Sequence, residues 1–600
     1  MNMNLTPEQR AIGKQNFHAA IGSEHTRREF LKDSLAAAVV GGGGLAGFYF
    51  GYQSIRDTVK VGIIGTGDEG NVLIGALNPN YFDVVAIADI RPYSIYRAFH
   101  GEVAQPARPG LLKVYKDKWK TLKEAQDAVT VYRGDYRELL RDPRVEAVII
   151  ALPLHLHAQV AIEAMLAGKH VLTEKLMGRT VAQCKEMARY ADQTNMILAV
   201  GHQRHYNILY DNAVDLIKRG LLGDLHYIRA QWHRAKDTWK PGLPPGTRPL
   251  PPGAKPEKGE PDLLKTKASW ERKLKEAKAA RDSEEEDLWT RRLAQIDQQI
   301  KDTAEAAKYG YLDIQVKDPS GKVRYQGPPL EELIRWRLWA RTGAGIMAEL
   351  GSHQLDAASI FIAAAHDLAE ATGKQKLDEK GRKLSRYPLS VSAVANRNLF
   401  DWDREIEDHL ACLIEFRAPG YNEKDALGRQ RTITVAYTSM NGNGFGGYGE
   451  CVFGTKGTLL LEEEKQALLY PTESDTTVVS TKIEVKKKKD ETVLDTQASP
   501  GAAQAAAVGA AGLGPDVSRG YREEMEHWAW CIKQHKKGEK PKFLPRCHAE
   551  VALKDAVIAL TANVAATKRQ TIHFDVDWFD YTKDATPDDS KINMGQYKKP

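Results

Sequence analysis

The chain has 600 residues, with 85 Lys and Arg against 79 Asp and Glu, and a formal net charge of +6. At 42% hydrophobic and 27% charged it can bury a core spread over several domains, and so weak a positive balance argues against nucleic acid as a partner. Five widely spaced cysteines, none in a Cys-x-x-Cys pair, give neither a disulfide scaffold nor a zinc site, and no His-Glu-x-x-His occurs.

Residues 1–58 read as a leader. TRREFLK at 26–32 places two arginines before an apolar run, 35–50, the pattern of a twin-arginine export signal. Four glycines, Gly41 to Gly44, argue against a packed helix there, and no clean cleavage site follows. The segment is therefore also a possible membrane tether, although it is shorter than the roughly 20 residues of a usual span. The export machinery is the implied partner, and a periplasmic or other extracytoplasmic location the implied destination. That route carries folded proteins, which predicts a cofactor loaded before export and held tightly.

A dinucleotide-binding domain is expected over 59–205. VKVGIIG is a β-branched run suited to a buried parallel strand. Gly65-Thr66-Gly67-Asp68-Glu69-Gly70 follows at once, and NVLIGAL begins a helix. Gly65 permits the tight turn, Gly67 lets the backbone approach a pyrophosphate, and Gly70 allows helix and sheet to pack closely. The phosphates would sit at the helix N-terminus, where free N–H groups point outward. Asp68 and Glu69 put anions in that loop and are expected to turn to solvent.

FDVVAIADI ends in Asp89, nineteen residues after Gly70. A carboxylate there accepts from ribose hydroxyls and repels a 2′-phosphate, which favours NAD over NADP; Arg91, two residues on, would soften that preference. Strands at 145–151 and 170–174 flank a helix at 157–167. The loop after the first of these holds Leu152, His155 and His157; Glu174 and Lys175 close the second. NMILAVGHQRHYN adds a further strand and a loop with His202, Arg204, His205, Tyr206 and Asn207.

A second domain is expected over 206–578, opening with the strand HYIRAQWHR and its Arg234. An insertion at about 235–338 interrupts it, first proline-rich and then highly charged and helical, without a sustained heptad seam; it reads as a lid or subunit contact. Trp336 and Trp339 follow, suited equally to a sugar site or to core. LSVSAVANRNLF, DHLACLIEFR, TITVAYTSM and GGYGECVFGTKGTLLLEE read as largely antiparallel strands. Lys486 to Lys489 suit a solvated strand edge or hairpin, 499–515 is a low-complexity loop, two helices follow, and 579–600 is a polar tail.

The stretches VKVGIIGTGDEG, ALPLHLHAQVAIEAMLAGKHVLTEKLM, GHQRHYN, GIMAELGSHQLDAASIF and CVFGTKGTLLLE together resemble the glucose–fructose oxidoreductase, inositol dehydrogenase and MocA-like (Gfo/Idh/MocA) family. The resemblance implies an α/β chain: an N-terminal Rossmann domain, and a C-terminal α/β domain with a large open mixed, mainly antiparallel sheet. It implies an NAD(P)-dependent oxidoreductase of a sugar, polyol or derivative, and a homodimer or homotetramer paired through the open sheet face. The family's Glu-Lys-Pro triplet falls on Glu174, Lys175 and Leu176, with leucine in the place of proline. Its Asp-x-x-x-His pair falls on Glu349 and His353, with Asp356 following.

The resemblance makes Lys175, His353 and Glu349 the catalytic candidates. Gly65, Thr66, Gly67, Asp68, Glu69, Gly70, Asp89, Arg91, Leu152, His157, Glu174 and Lys175 are the cofactor candidates. His205, Tyr206, Asn207, Arg234 and Asp356 are the substrate candidates, Tyr206 by stacking on a sugar face. His353 would accept the hydroxyl proton, and Lys175 would hydrogen-bond the reacting oxygen. If the 345–361 stretch is helical, Glu349 and His353 share one face. Two alternatives stand beside this reading: a glycoside hydrolase that oxidises its substrate transiently with NAD, and a non-catalytic sugar- or nucleotide-binding protein, motivated by the insertion and the altered triplet and pair.

Overall fold

The computed structural model describes residues 5–21, 52–103, 105–249, 260–374, 386–472 and 519–600, with two short strands between 484 and 495. The expected twin-arginine signal, the apolar run at 35–50 and the low-complexity loop at 499–515 lie outside the described residues.

The first sheet has six parallel strands: β1 (Val59–Ile64), β2 (Phe82–Ala88), β3 (Thr130–Tyr132), β4 (Ala147–Ile150), β5 (His170–Glu174) and β6 (Leu198–Gly201), in the order β3-β2-β1-β4-β5-β6. β4, β5 and β6 are buried on both faces, which is why AVII and HVLTE read as continuous rather than alternating runs. The strand order reverses between β1 and β4, and the crevice beyond their C-terminal ends is where open sheets of this kind take ligands.

Later segments finish this domain. The Tyr521–Gln534 helix packs on β1 and β6, with Trp528 fully buried and its ring 6.0 Å from that of Phe82. The expected polar tail is bound to the Val181–Thr194 helix. Lys185 Nζ donates to the carbonyls of Asp577, Lys583 and Ala585 at 2.8, 2.9 and 2.8 Å, and Tyr597 Oη donates to Glu186 at 2.8 Å.

The second sheet has eight strands. β7 (Leu225–Ala235) comes before the insertion, whose own hairpin is β8 (Ile314–Lys317) and β9 (Val323–Gly327). β10 (Pro388–Asn396), β11 (His409–Arg417), β12 (Thr432–Gly442), β13 (Tyr448–Gly454), β14 (Gly457–Glu462) and β15 (Gln466–Pro471) follow it. β16 (Glu484–Lys488) and β17 (Glu491–Asp495) pair separately around the lysine run, and β18 (Ile572–His573) closes the far edge. The order is β15-β14-β13-β7-β12-β11-β10-β18; β7 and β12 are parallel and every other neighbouring pair is antiparallel. The Ser352–Ala371 helix covers β7 and β12, and the Ala549–Lys568 helix covers β10. The other face carries Val394, Leu413 and Met440 to solvent.

The leader departs from the expectation, and the insertion, helical as expected, adds a hairpin. Part of the expected leader is structured: Pro7–Ile21 forms a helix docked on β15, with Phe17 buried, Arg10 paired to Glu462, and Asn16 Nδ2 donating to Leu469 O at 3.1 Å. The insertion is an antiparallel helix pair, Leu263–Ala280 and Ser283–Ile300, clasped by Trp270, Trp289 and Ile296. The β8–β9 hairpin went unforeseen, although IQVK and VRYQG alternate around the turn residues DPSG.

Candidate active site

The glycine loop links β1 to the Asp68–Ala76 helix. Gly65 has φ +87°, and a Cβ there would meet Ala151 O at 2.3 Å; a Cβ on Gly70 would meet Gly65 O at 2.2 Å. Both are glycine because the protein packs against them. Gly67 differs: a Cβ there meets nothing within 4 Å. Gly67 is also the N-cap of the helix and supplies no side-chain cap, so the first amides remain available. Asn71 Nδ2 holds the loop by donating to Thr66 O at 2.8 Å and Gly67 O at 3.2 Å. An open approach at Gly67 and uncapped amides fit a diphosphate.

The two acids in the loop are arranged differently from each other. Asp68 is paired to Arg97 at 2.7 Å and is held ionised, whereas one oxygen of Glu69 is buried without a hydrogen bond. The expected turn to solvent therefore holds for Asp68, whose side chain is 50% exposed, and not for the buried oxygen of Glu69.

Asp89 ends β2 facing the loop. Its Oδ2 accepts from Thr66 N at 2.7 Å and Thr66 Oγ1 at 3.1 Å, and its Oδ1 accepts from Arg91 N at 2.8 Å. Burial raises its pKa against those hydrogen bonds. A carboxylate has about four acceptor positions, so Oδ1 keeps room for a ribose hydroxyl. The Arg91 side chain points elsewhere, with Nε donating to Asp302 Oδ2 at 2.8 Å. The insertion walls this end: Ile90 packs with Ala306, Tyr311 and Leu333, and the Tyr311 ring stands edge-on to His155 at 5.7 Å.

Beyond β4 and β5, His157 joins two loops, with its ring nitrogens each 2.9 Å from Leu152 O and Leu176 O. The Lys175–Leu176 peptide is cis. Lys175 Nζ donates to Glu349 O at 2.6 Å and lies 3.9 Å from Glu349 Oε1. Arg337, lying over the Trp336 ring, donates from Nε to the same Oε1 at 2.8 Å. Burial favours a neutral Glu349, but Arg337 and Lys175 outweigh it and pull its pKa down to about 2. The opposite holds at Glu174, where burial and the nearby Glu69 push the pKa up to about 8 against the pull of Lys175.

Met347–Gly351 is a π-helical turn, so Glu349 and His353 do not follow the simple α-helical spacing. The His353 ring is 5.1 Å from Trp232 and 6.3 Å from His202, and its Nδ1 is buried without a hydrogen bond. Burial, with Lys175 and Arg204 adding to it, lowers its pKa well below the histidine range, so the ring is neutral. Arg234 lies over Trp232 at 5.0 Å, and the charge of Glu349 acts on it. His205 Nε2 is 2.9 Å from Asp356 Oδ1.

Two expected substrate residues are used structurally. Tyr206 is fully buried; its hydroxyl lies 2.7 Å from His527 Nδ1 and accepts from Arg546 N at 2.6 Å, which leaves no ring face for a sugar. Asn207 is buried and caps the Ile208–Lys218 helix, accepting from Leu209 N at 2.9 Å. Trp339 is core, 2% exposed and stacked near Tyr325.

Other residues take parts that the sequence reading did not assign, among them two of the named loop residues, Arg204 and His202. Arg204 Nη1 donates to His353 O, Gln354 Oε1 and Glu450 Oε1, each at 2.7 Å, and so fixes the start of the helix that carries His353. His202 Nε2 lies 3.0 Å from Asp555 Oδ2. Glu524 is buried close enough to Glu174 to feel its charge. Of the residues not named from sequence, Arg337 left a signal, as an arginine between two tryptophans just ahead of the Glu349 turn. Among the described residues no His, Cys, Asp and Glu cluster could hold a metal, and no helix is long and apolar enough to cross a membrane. All five cysteines are buried and free.

Residues 59–202 match the model of an oxidoreductase family with an NAD-binding Rossmann fold. The first domain is thus an NAD-binding Rossmann unit of the oxidoreductase kind. Over 178 residues the chain is 29% identical to scyllo-inositol 2-dehydrogenase (NADP(+)) of Bacillus subtilis, covering 30% of this chain and 42% of that protein. It is 28% identical over 173 residues to a glycosyl hydrolase family 109 protein of Shewanella, covering 28% and 34%. The chain thus spans less than half the length of these curated relatives. A levoglucosan dehydrogenase solved with NADH aligns over 86% of this chain and 99% of its own, at 14% identity and a TM-score of 0.46.

Proposed function

We propose that this chain is an NAD-dependent oxidoreductase of a sugar, polyol or sugar derivative, with a tightly held cofactor. The observation that carries the reading is Lys175 just after β5, fixed by the carbonyl of Glu349 and near enough to the neutral, buried His353 for its charge to act on that ring. A secondary alcohol there donates its hydroxyl hydrogen bond to the His353 ring, which takes the proton as the C–H bond breaks. Lys175 donates to the same oxygen and stabilises the charge that develops on it. A bound nicotinamide supplies the hydride acceptor. Glu349, ionised by Arg337, holds the lysine, and Arg234 with Trp232 offers a charged and aromatic wall for a polyhydroxylated ring. Purified protein scanned for bound dinucleotide, then incubated with a panel of sugars and polyols and read as reduced-nicotinamide absorbance, tests the reading. No bound or bindable dinucleotide would sink it.

A second reading has one specific observation in its favour, the likeness to a glycosyl hydrolase family 109 protein. The same base and lysine would then serve a transient oxidation that ends in a cleaved glycoside with no net reduced cofactor. Product analysis without added NAD separates the two. The TRREFLK motif supports export of the folded protein to the periplasm, with the apolar run at 35–50 as a membrane tether, and fractionation of the expressing cell tests both. The exposed Val394, Leu413 and Met440 support pairing of two or four copies through the open sheet, which light scattering tests.

A further inference from the structure

We infer that Asp302, supplied by the insertion, makes the dinucleotide site selective for NAD by occupying Arg91. The inference rests on the dinucleotide reading above. Arg91 follows the ribose-facing Asp89 by two residues and stands at the N-cap position of the Pro92–His100 helix, without a side-chain capping bond. An arginine in that place is a natural partner for a 2′-phosphate, since its fork matches phosphate oxygens. In this chain the fork is already taken. Arg91 Nε and Nη2 lie 2.8 and 2.7 Å from Asp302 Oδ2, and Tyr93 N donates to Oδ1 at 3.4 Å.

Asp302 is completely buried and comes from 211 positions along the chain. It sits just past the Ser283–Ile300 helix, which is fastened to the Rossmann domain: Val103 N donates to Gln295 Oε1 at 2.9 Å and Gln295 Nε2 donates to Tyr93 Oη at 3.0 Å. Ile90, between Asp89 and Arg91, is covered by Tyr311 and Leu333 of the same insertion. The ribose end of the crevice therefore presents the Asp89 carboxylate beside a neutralised arginine. A 2′-phosphate brings more negative charge to a place with no free cation at Arg91 to meet it. Because the partner is an insertion residue, cofactor choice in this chain is set by the second domain and not by β2 alone.

The test is equilibrium binding of NAD+ and of NADP+ to the full-length protein after dialysis free of nucleotide. Wild type should bind NAD+ the tighter of the two. D302N and D302A should each narrow that preference roughly tenfold by tightening NADP+, the scale of one charge-assisted hydrogen bond. Adding R91A to D302N should cancel the gain. R91M/D302L, which removes both charges together, should leave NADP+ affinity unchanged, because Arg91 is already engaged and no unpaired carboxylate is left behind; this arm stands even if the single Asp302 variants fail to fold. The inference is overturned if the preference persists in D302N and D302A proteins that still bind NAD+, if the gain survives R91A, or if R91M/D302L weakens NADP+. Wild type that binds neither nucleotide would overturn the dinucleotide reading itself, a distinct result.

Discussion

Lys175 Nζ stands 2.6 Å from the carbonyl oxygen of Glu349, a residue 174 positions away in the other domain. This contact ties the last residue after β5 to the π-helical turn ahead of His353, so the Rossmann sheet and the second domain meet at the atom assigned to the chemistry. K175A should leave dinucleotide affinity within about threefold while turnover falls about 10²–10³-fold, the usual scale of a lost proton-handling group. Calorimetric titration beside steady-state rates checks the split; a K175A enzyme as fast as its parent refutes the assignment.

Two of the loop glycines, Gly67 and Gly70, should separate by cause. G67A adds a Cβ into open space, so its thermal midpoint should stay near wild type while dinucleotide binding weakens at least about tenfold. G70A adds a Cβ 2.2 Å from Gly65 O and should lower stability by about 1–3 kcal/mol before any ligand is considered. Melting curves with and without NAD+ distinguish the two. A G67A protein that melts early yet binds normally would reverse the interpretation of the loop.

Arg337 should govern an acid-side stability term. Glu349 has its pKa pulled from 4.5 to about 2, so the favourable term is present above the unfolded value and is lost as pH falls from about 4.5 toward 2. R337M removes the principal cation and leaves burial dominant, which should cost about 2–3 kcal/mol at pH 7 and much less near pH 2. Urea midpoints at the two pH values measure the gap. A gap that does not shrink in acid argues against the pairing.

Glu174 has the opposite sign. Its pKa is raised from 4.5 to about 8, so its protonated form stabilises the fold below the unfolded value, and that stability is lost as pH rises through about 8. E174Q keeps the shape without the ionisation. It should therefore match wild type near pH 4 and exceed it by about 2 kcal/mol near pH 9. Thermal melts across that range decide it.

The fold was legible wherever local pattern and topology coincide. The run VKVGIIG, the glycine spacing and the acid at Asp89 lie within a single βαβ unit, so sequence order alone brings them together. Alternation in LSVSAVAN and TITVAYTSM reports a half-covered sheet because one face lies under helices. What sequence could not convey were contacts made by folding back. Nothing near Asp302 announces Arg91, and nothing in the Tyr521–Gln534 helix announces Phe82 or Glu174. Tyr206 and Asn207 misled for a related reason. A polar loop at a strand's end is where substrate residues sit, but it is also where a helix needs a cap and a core needs a hydroxyl clamp. The π-turn at Met347–Gly351 is likewise invisible to a spacing rule that assumes 3.6 residues per turn.

The Trp528 helix under β1 and β6, and the tail that encloses Lys185, also set an order of events during vectorial synthesis. A nascent chain that has emerged only as far as the second sheet carries every residue of the glycine loop, yet its nucleotide domain still exposes Phe82 and leaves the Lys185 ammonium without its three carbonyl partners. The Tyr521–Gln534 helix and the Asp577, Lys583 and Ala585 carbonyls must emerge before that domain can close, so coenzyme capture waits on residues made long after the glycine loop.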